Sequence, residues 1–104
     1  TPGDAIVLLG ENTDELGGSE YLARVHGLVA GRPPRVDLDG ERRLVEALLE
    51  AIRAGHVASA HDVSDGGLAV ALAECVMADA ERPMGCDVEL DAWASLPRRA
   101  LLFG

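Results

Sequence analysis

The densest chemistry in the sequence lies in His61-Asp62-Val63-Ser64-Asp65-Gly66-Gly67-Leu68. An imidazole and a carboxylate precede a glycine turn, and an apolar, alanine-rich stretch follows it. A strand end that turns into a helix is a recurrent anion site. The first backbone N–H groups of a helix have no intrahelical acceptor, and the helix dipole favours negative charge there. Asp62 is the candidate ligand for Mg²⁺, a hard cation that takes carboxylate and phosphate oxygens. Gly66 and Gly67 would let a phosphate approach the backbone closely, with Ser64 and His61 beside them. A reading without any ligand competes with this one. In it Ser64 or Asp65 caps the helix, the glycines permit the turn, and His61 is a packed or solvated side chain.

Leu16-Gly17-Gly18-Ser19-Glu20 is a second loop-to-helix junction of the same physical type. It makes Gly17, Gly18 and Ser19 candidates for the same phosphate chemistry. Capping competes more strongly here, because Ser19 at the N-cap and Glu20 in the first turn form an ordinary helix start. Arg32, Arg35 and Arg42-Arg43 are the basic cluster, and arginine suits phosphate and carboxylate clamps. A charge run beside a helix is nevertheless usually a solvated face, and Arg98-Arg99 has no better claim. The sequence holds no serine nucleophile elbow, no His-Glu-x-x-His helix and no complete dinucleotide fingerprint.

These junctions need elements to hold them. The apolar run at residues 5–9, bounded by Gly3-Asp4 and Gly10, predicts a buried strand. A short helix starts at Ser19, carries Tyr21, Leu22 and Val25 on one face, and stops at Gly27. Residues 31–35, with Pro33-Pro34, read as an extended linker into a cap at Asp37 or Asp39. Leu44, Val45, Leu48, Leu49 and Ile52 then form one stripe of an amphipathic helix that ends at Gly55. Residues 57–63 read as a strand, 68–78 as a buried helix, and 86–90 as an alternating strand. Asp91 caps a turn with Trp93 and Leu96, and residues 100–103 read as a last strand. The expected fold is α+β, a mixed β-sheet with covering helices.

Composition narrows the function. The 104 residues suit one small domain, residues 1–104, and the formal net charge of −9 opposes non-specific nucleic-acid binding. The chain contains no lysine, which removes Schiff-base, Walker-A and lysine general-base chemistry. Aromatics are only 3%, so the core must be built from Ala, Val, Leu and Ile. No run approaches the ~18 apolar residues of a membrane span. Cys75 and Cys86, without a Cys-x-x-Cys pattern, read as free thiols in a reducing compartment. The sequence stops inside an apolar run, so the expectation is an incomplete domain with an unpaired sheet edge, open to a second copy.

Three segments together resemble one family: residues 3–10, residues 15–22 with Gly17-Gly18-Ser19-Glu20-Tyr21-Leu22, and residues 61–74 with the His-Asp-x-Ser-Asp-Gly-Gly-Leu motif. They resemble the C-terminal B-type domain of phosphoribosylformylglycinamidine synthase, in the aminoimidazole ribonucleotide synthetase-related superfamily, and Pro33-Pro34-Arg35-Val36-Asp37-Leu38-Asp39 supports its small multi-subunit type. The resemblance implies a cytoplasmic ATP-dependent ligase that uses ATP and Mg²⁺, bound mainly by domains outside this chain. It implies a glutaminase subunit, a small bridging subunit and the remaining domains of the same polypeptide as partners, and neither nucleic acid nor membrane. It also matches Asp62 to a metal-binding position of the first B-type copy. The rivals are another superfamily member, such as a selenophosphate synthetase or a thiamine monophosphate kinase, and a non-catalytic interaction module. Gly17-Gly18-Ser19-Glu20-Tyr21-Leu22 speaks against the first rival.

Overall fold

The computed structural model describes residues 2–104. Its regular elements are four α-helices, α1 (Glu20–His26), α2 (Leu38–Arg53), α3 (Gly67–Met77) and α4 (Arg98–Phe103), with one 3₁₀ turn at Asp91–Trp93. The chain divides into two compact units. One comprises Thr1–Glu11 and Arg35–Ala60, the other Asn12–Pro34 and His61–Gly104.

The first unit is organised by α2. Asp37 is its N-cap: Oδ1 accepts from the Asp39 amide at 3.2 Å, and the Asp37 carbonyl accepts from the Glu41 amide at 2.9 Å. Asp39 and Glu41 in the first turn and Arg53 in the last complement the helix dipole. Of the expected stripe Leu44 and Leu48 are half-buried, with Ala51 beside them, whereas Val45, Leu49 and Ile52 stay exposed. Arg42 pairs with Glu46 at 3.0 Å and Arg43 with Asp37 at 3.9 Å, all on the solvated face. Exposed pairs of this kind contribute little to stability.

The second unit holds the buried core. Leu68 and Ala71 of α3 pack with Ala100 and Leu101 of α4, exposed by 9%, 6%, 1% and 4%. Two of the four are alanines, which bring the helix backbones close. Ser19 caps α1, accepting from the Leu22 amide at 3.3 Å and donating to the Leu16 carbonyl at 2.7 Å. Gly27 ends α1, as the sequence indicates.

The expected mixed sheet is not present, and the α+β assignment is corrected: among the described residues there is no strand. Residues 5–9, 57–63 and 86–90 run without regular structure, because none of them exchanges with a neighbour the ladder of hydrogen bonds that defines a sheet. Ile6 is 58% and Val7 72% exposed, so the first of these runs is not buried either. Residues 100–103 form α4 rather than a strand. A short apolar run is ambiguous by periodicity, and Arg, Ala and Leu are helix formers with no β-branched residue among them. Pro97 starts that helix, its carbonyl accepting from the Leu101 amide at 3.0 Å. Without a sheet there is no sheet edge for a second copy to extend. No helix among the described residues is long and apolar enough to cross a membrane, and both cysteines are free and exposed.

Candidate functional site

Both loop-to-helix junctions lie in the second unit and line one cleft of about 230 Å³. Gly17, Gly18, Ser19 and Glu20 face it from the start of α1; Ser64, Asp65, Gly66 and Gly67 face it from the start of α3. Glu15, Pro34, Phe103 and Gly104 complete the lining.

Local packing requires glycine at two of these positions. At Gly17 an added Cβ would overlap the Arg32 carbonyl oxygen, and one added at Gly31 would lie 2.8 Å from the Gly17 Cα. Two backbone segments therefore pass in direct contact, stitched by the Gly18 amide donating to the Ala30 carbonyl at 2.9 Å. At Gly67 the backbone is left-handed, with φ +71°, and an added Cβ would sit 2.7 Å from both the Leu102 carbonyl oxygen and the Phe103 Cα. The end of α4 thus rests directly on the turn that opens α3.

The two helix starts differ in what they leave free. The Ser19 hydroxyl is committed at both ends, to the Leu22 amide and the Leu16 carbonyl. The N-cap of α3 is Gly66, with no side-chain cap, so neither Ser64 nor Asp65 caps the helix. The Gly67 amide is held by the Ser64 carbonyl at 3.0 Å, whereas the Leu68 and Ala69 amides have no acceptor among the described residues. The Ser64 hydroxyl is exposed and unpartnered there as well. Open amides beside a hydroxyl can receive an anion.

Side-chain charge in the cleft is acidic: Glu15, Glu20 and Asp65 line it, with no arginine or histidine. Glu20 accepts from Arg24 Nε at 2.8 Å, and this hydrogen bond, then the carboxylate charge, raises the pKa of the exposed guanidinium. Glu15 accepts from the Thr13 hydroxyl at 3.1 Å. Any anion here is met by backbone and hydroxyl groups.

His61 and Asp62 do not line the cleft. His61 Nδ1 donates to the Asp62 carbonyl at 2.7 Å, and its Nε2 lies 3.4 Å from Glu74 Oε2 on α3, an ion pair when the ring is protonated. The Asp62 side chain is 85% exposed, and its Oδ1 lies 3.9 Å from His61 Nδ1. Among the described residues no three His, Cys, Asp or Glu side chains converge as a metal-binding group.

Sequence reasoning found six of the lining positions (Gly17, Gly18, Ser19, Ser64, Gly66 and Gly67) and did not place Glu15, Pro34, Phe103 or Gly104 there. Pro34 reads as linker, and Phe103 as strand. No local signal joins residues so far apart in the chain.

The chain was compared with known proteins. The family model described as AIR synthase related protein, C-terminal domain, matches residues 1–102. The phosphoribosylformylglycinamidine synthase subunit PurL of Symbiobacterium thermophilum is 56% identical over 88 residues, which is 85% of this chain and 11% of that protein. The subunit of the same name from Trichormus variabilis is 52% identical, covering 100% of this chain and 13% of its own length. That of Deinococcus radiodurans is 48% identical, covering 98% and 14%. The chain therefore spans between 11% and 14% of the length of these three curated relatives. No solved structure matches it. With the match running over nearly its whole length, the chain belongs to the AIR synthase related protein family, as that family's C-terminal domain.

Proposed function

We propose that this chain is part of a phosphoribosylformylglycinamidine synthase, an ATP-dependent ligase of purine biosynthesis, and that its cleft is a phosphate subsite of that enzyme. The observation that carries the subsite is the convergence of two glycine junctions on one cleft, with the α3 amides uncapped. At about 230 Å³ the cleft is smaller than the ~300–1,000 Å³ of a typical ligand pocket. It suits a phosphate group, not a whole nucleotide, so other domains of the polypeptide supply the rest of the ATP site. The names of the relatives support the synthase over a selenophosphate synthetase or thiamine monophosphate kinase.

In the proposed reaction ATP phosphorylates the amide oxygen of formylglycinamide ribonucleotide, and ammonia then displaces phosphate to give the amidine. A separate glutaminase subunit releases the ammonia, a small bridging subunit completes the complex, and the enzyme works in the cytoplasm. Such phosphoryl transfer rests on positioning and charge stabilisation. This chain's share is to hold phosphate oxygens at the glycine turn that opens α3, where Ser64, Gly66 and Gly67 line the cleft. Asp62, which lies outside the cleft, is the proposed residue to hold magnesium, and the chemistry the ion would supply is neutralisation of phosphate charge. Gly17, Gly18 and Ser19 shape the opposite wall, and His61 ties the segment before the glycine turn to Glu74 of α3. A second reading, a non-catalytic interaction domain, is favoured by the three lining carboxylates and the committed Ser19 hydroxyl.

Asp62→Asn in the full-length protein distinguishes them. Under the synthase reading turnover falls at least roughly tenfold, about 1.4 kcal/mol of transition-state stabilisation. Unchanged ATP affinity and turnover would remove the metal role. The 104-residue chain alone is expected to show no ATP-dependent turnover, and measurable turnover would refute that.

A further inference from the structure

We infer that the Tyr21–Phe103 ring pair is the clasp that holds the two walls of the cleft together, which makes both rings positioning residues. The functional consequence of the clasp rests on the phosphate-subsite reading. The chain has one Tyr, one Phe and one Trp, and two of these three meet here. Their centroids are 5.2 Å apart with an interplanar angle of 14°, a stacked geometry favoured for aromatic pairs.

Each ring is anchored to a different wall. Tyr21 directly follows Ser19 and Glu20 at the start of α1, and its ring also makes a T-shaped contact with His26, centroids 5.4 Å apart. Phe103 lines the cleft, and its Cα lies against the Gly67 turn. No hydrogen bond or ion pair among the described residues joins Asn12–Pro34 to His61–Gly104. These two chain stretches also meet where Gly104 lies close against the Glu15 carbonyl. Removing one ring is therefore expected to loosen both junctions together, the one at the Gly18–Ala30 bond and the one at the Gly67–Ser64 bond.

Hydrogen exchange on the full chain, read by mass spectrometry without ligand, tests the clasp. In Tyr21→Ala the segments around residues 16–20 and 64–68 are expected to exchange roughly fivefold faster, with α2 unchanged. Tyr21→Phe keeps the ring and is expected to exchange like the parent. If Tyr21→Ala does not fold, Phe103→Leu keeps apolar bulk without the ring and gives the same readout. Unchanged exchange at both segments, acceleration spread equally over α2, or equal loss in Tyr21→Phe would each overturn the proposal.

ATP–Mg²⁺ binding separates positioning from packing. Tyr21→Ala should bind it roughly fivefold more weakly, whereas Tyr21→Phe binds as the parent does. A lower melting temperature with unmoved affinity would overturn the positioning role. If the parent itself gains no protection from ATP–Mg²⁺, the subsite reading fails, and ligand-free exchange still decides the clasp.

Discussion

Gly67→Ala is expected to lower the unfolding free energy by about 2–4 kcal/mol, combining overpacking with backbone strain. Both costs come from the same methyl group. It would lie 2.7 Å from the Leu102 carbonyl oxygen and the Phe103 Cα, backbone atoms that a rotamer change cannot move. It would also force a side chain into the left-handed region at φ +71°. Relief requires α4 to lift from the start of α3, which exposes Ala100 and Leu101, the most deeply buried apolar side chains among the described residues. Gly85→Ala is the control, because no atom lies within 4 Å of its added Cβ and its φ is ordinary. That change should be neutral or slightly stabilising through the unfolded chain. Urea denaturation of the two variants checks the difference. Equal midpoints would show that α4 does not rest on the turn.

Leu101→Ala is the second large effect, expected at about 2–4 kcal/mol from lost burial and the cavity left behind. Leu101 is 4% exposed and is one of only two large side chains, with Leu68, in the buried set. A domain of this size is stable by roughly 5–10 kcal/mol at most, so such a loss removes much of it. Val29→Ala, at a position 93% exposed, should change stability by less than about 0.5 kcal/mol. Circular dichroism through a thermal ramp reads both variants. A Leu101→Ala protein that melts with the parent would mean that α3 and α4 do not form the core.

The helices were legible in the sequence for physical reasons that can be named. Ser19 and Asp37 supply side-chain acceptors for amides the first turn leaves unpaired, and Gly27 and Gly55 end α1 and α2 where the apolar stripe ends. Alanine and leucine carry α3 within a residue of the expected bounds. The runs at 5–9, 57–63 and 86–90 were misread because alternation and β-branching report a tendency to extend, whereas a strand exists only with a neighbour to bond. Residues 100–103 were misread because four apolar-rich residues carry no period, and burial of Ala100 and Leu101 against α3 settles them as helix.

The candidate site divides the same way. Each junction was visible as a local pattern, glycines before a helix. Their meeting in one cleft was not, because it depends on Gly17 passing against Arg32 and Gly67 against Phe103. The acidic lining was also hidden, since Glu15 and Asp65 look like ordinary loop carboxylates until the loops converge. His61 and Asp62 show the reverse. The most suggestive pair in the sequence lies outside the cleft, where His61 meets Glu74 of α3.

Hydrogen exchange of the full-length protein with and without saturating ATP–Mg²⁺ bears on the subsite itself. If the two junctions hold one phosphate group, the amides around residues 16–20 and 64–68 slow together on nucleotide binding, while those of α2 keep their rates. Bound nucleotide with neither segment slowed would contradict a phosphate subsite in this cleft.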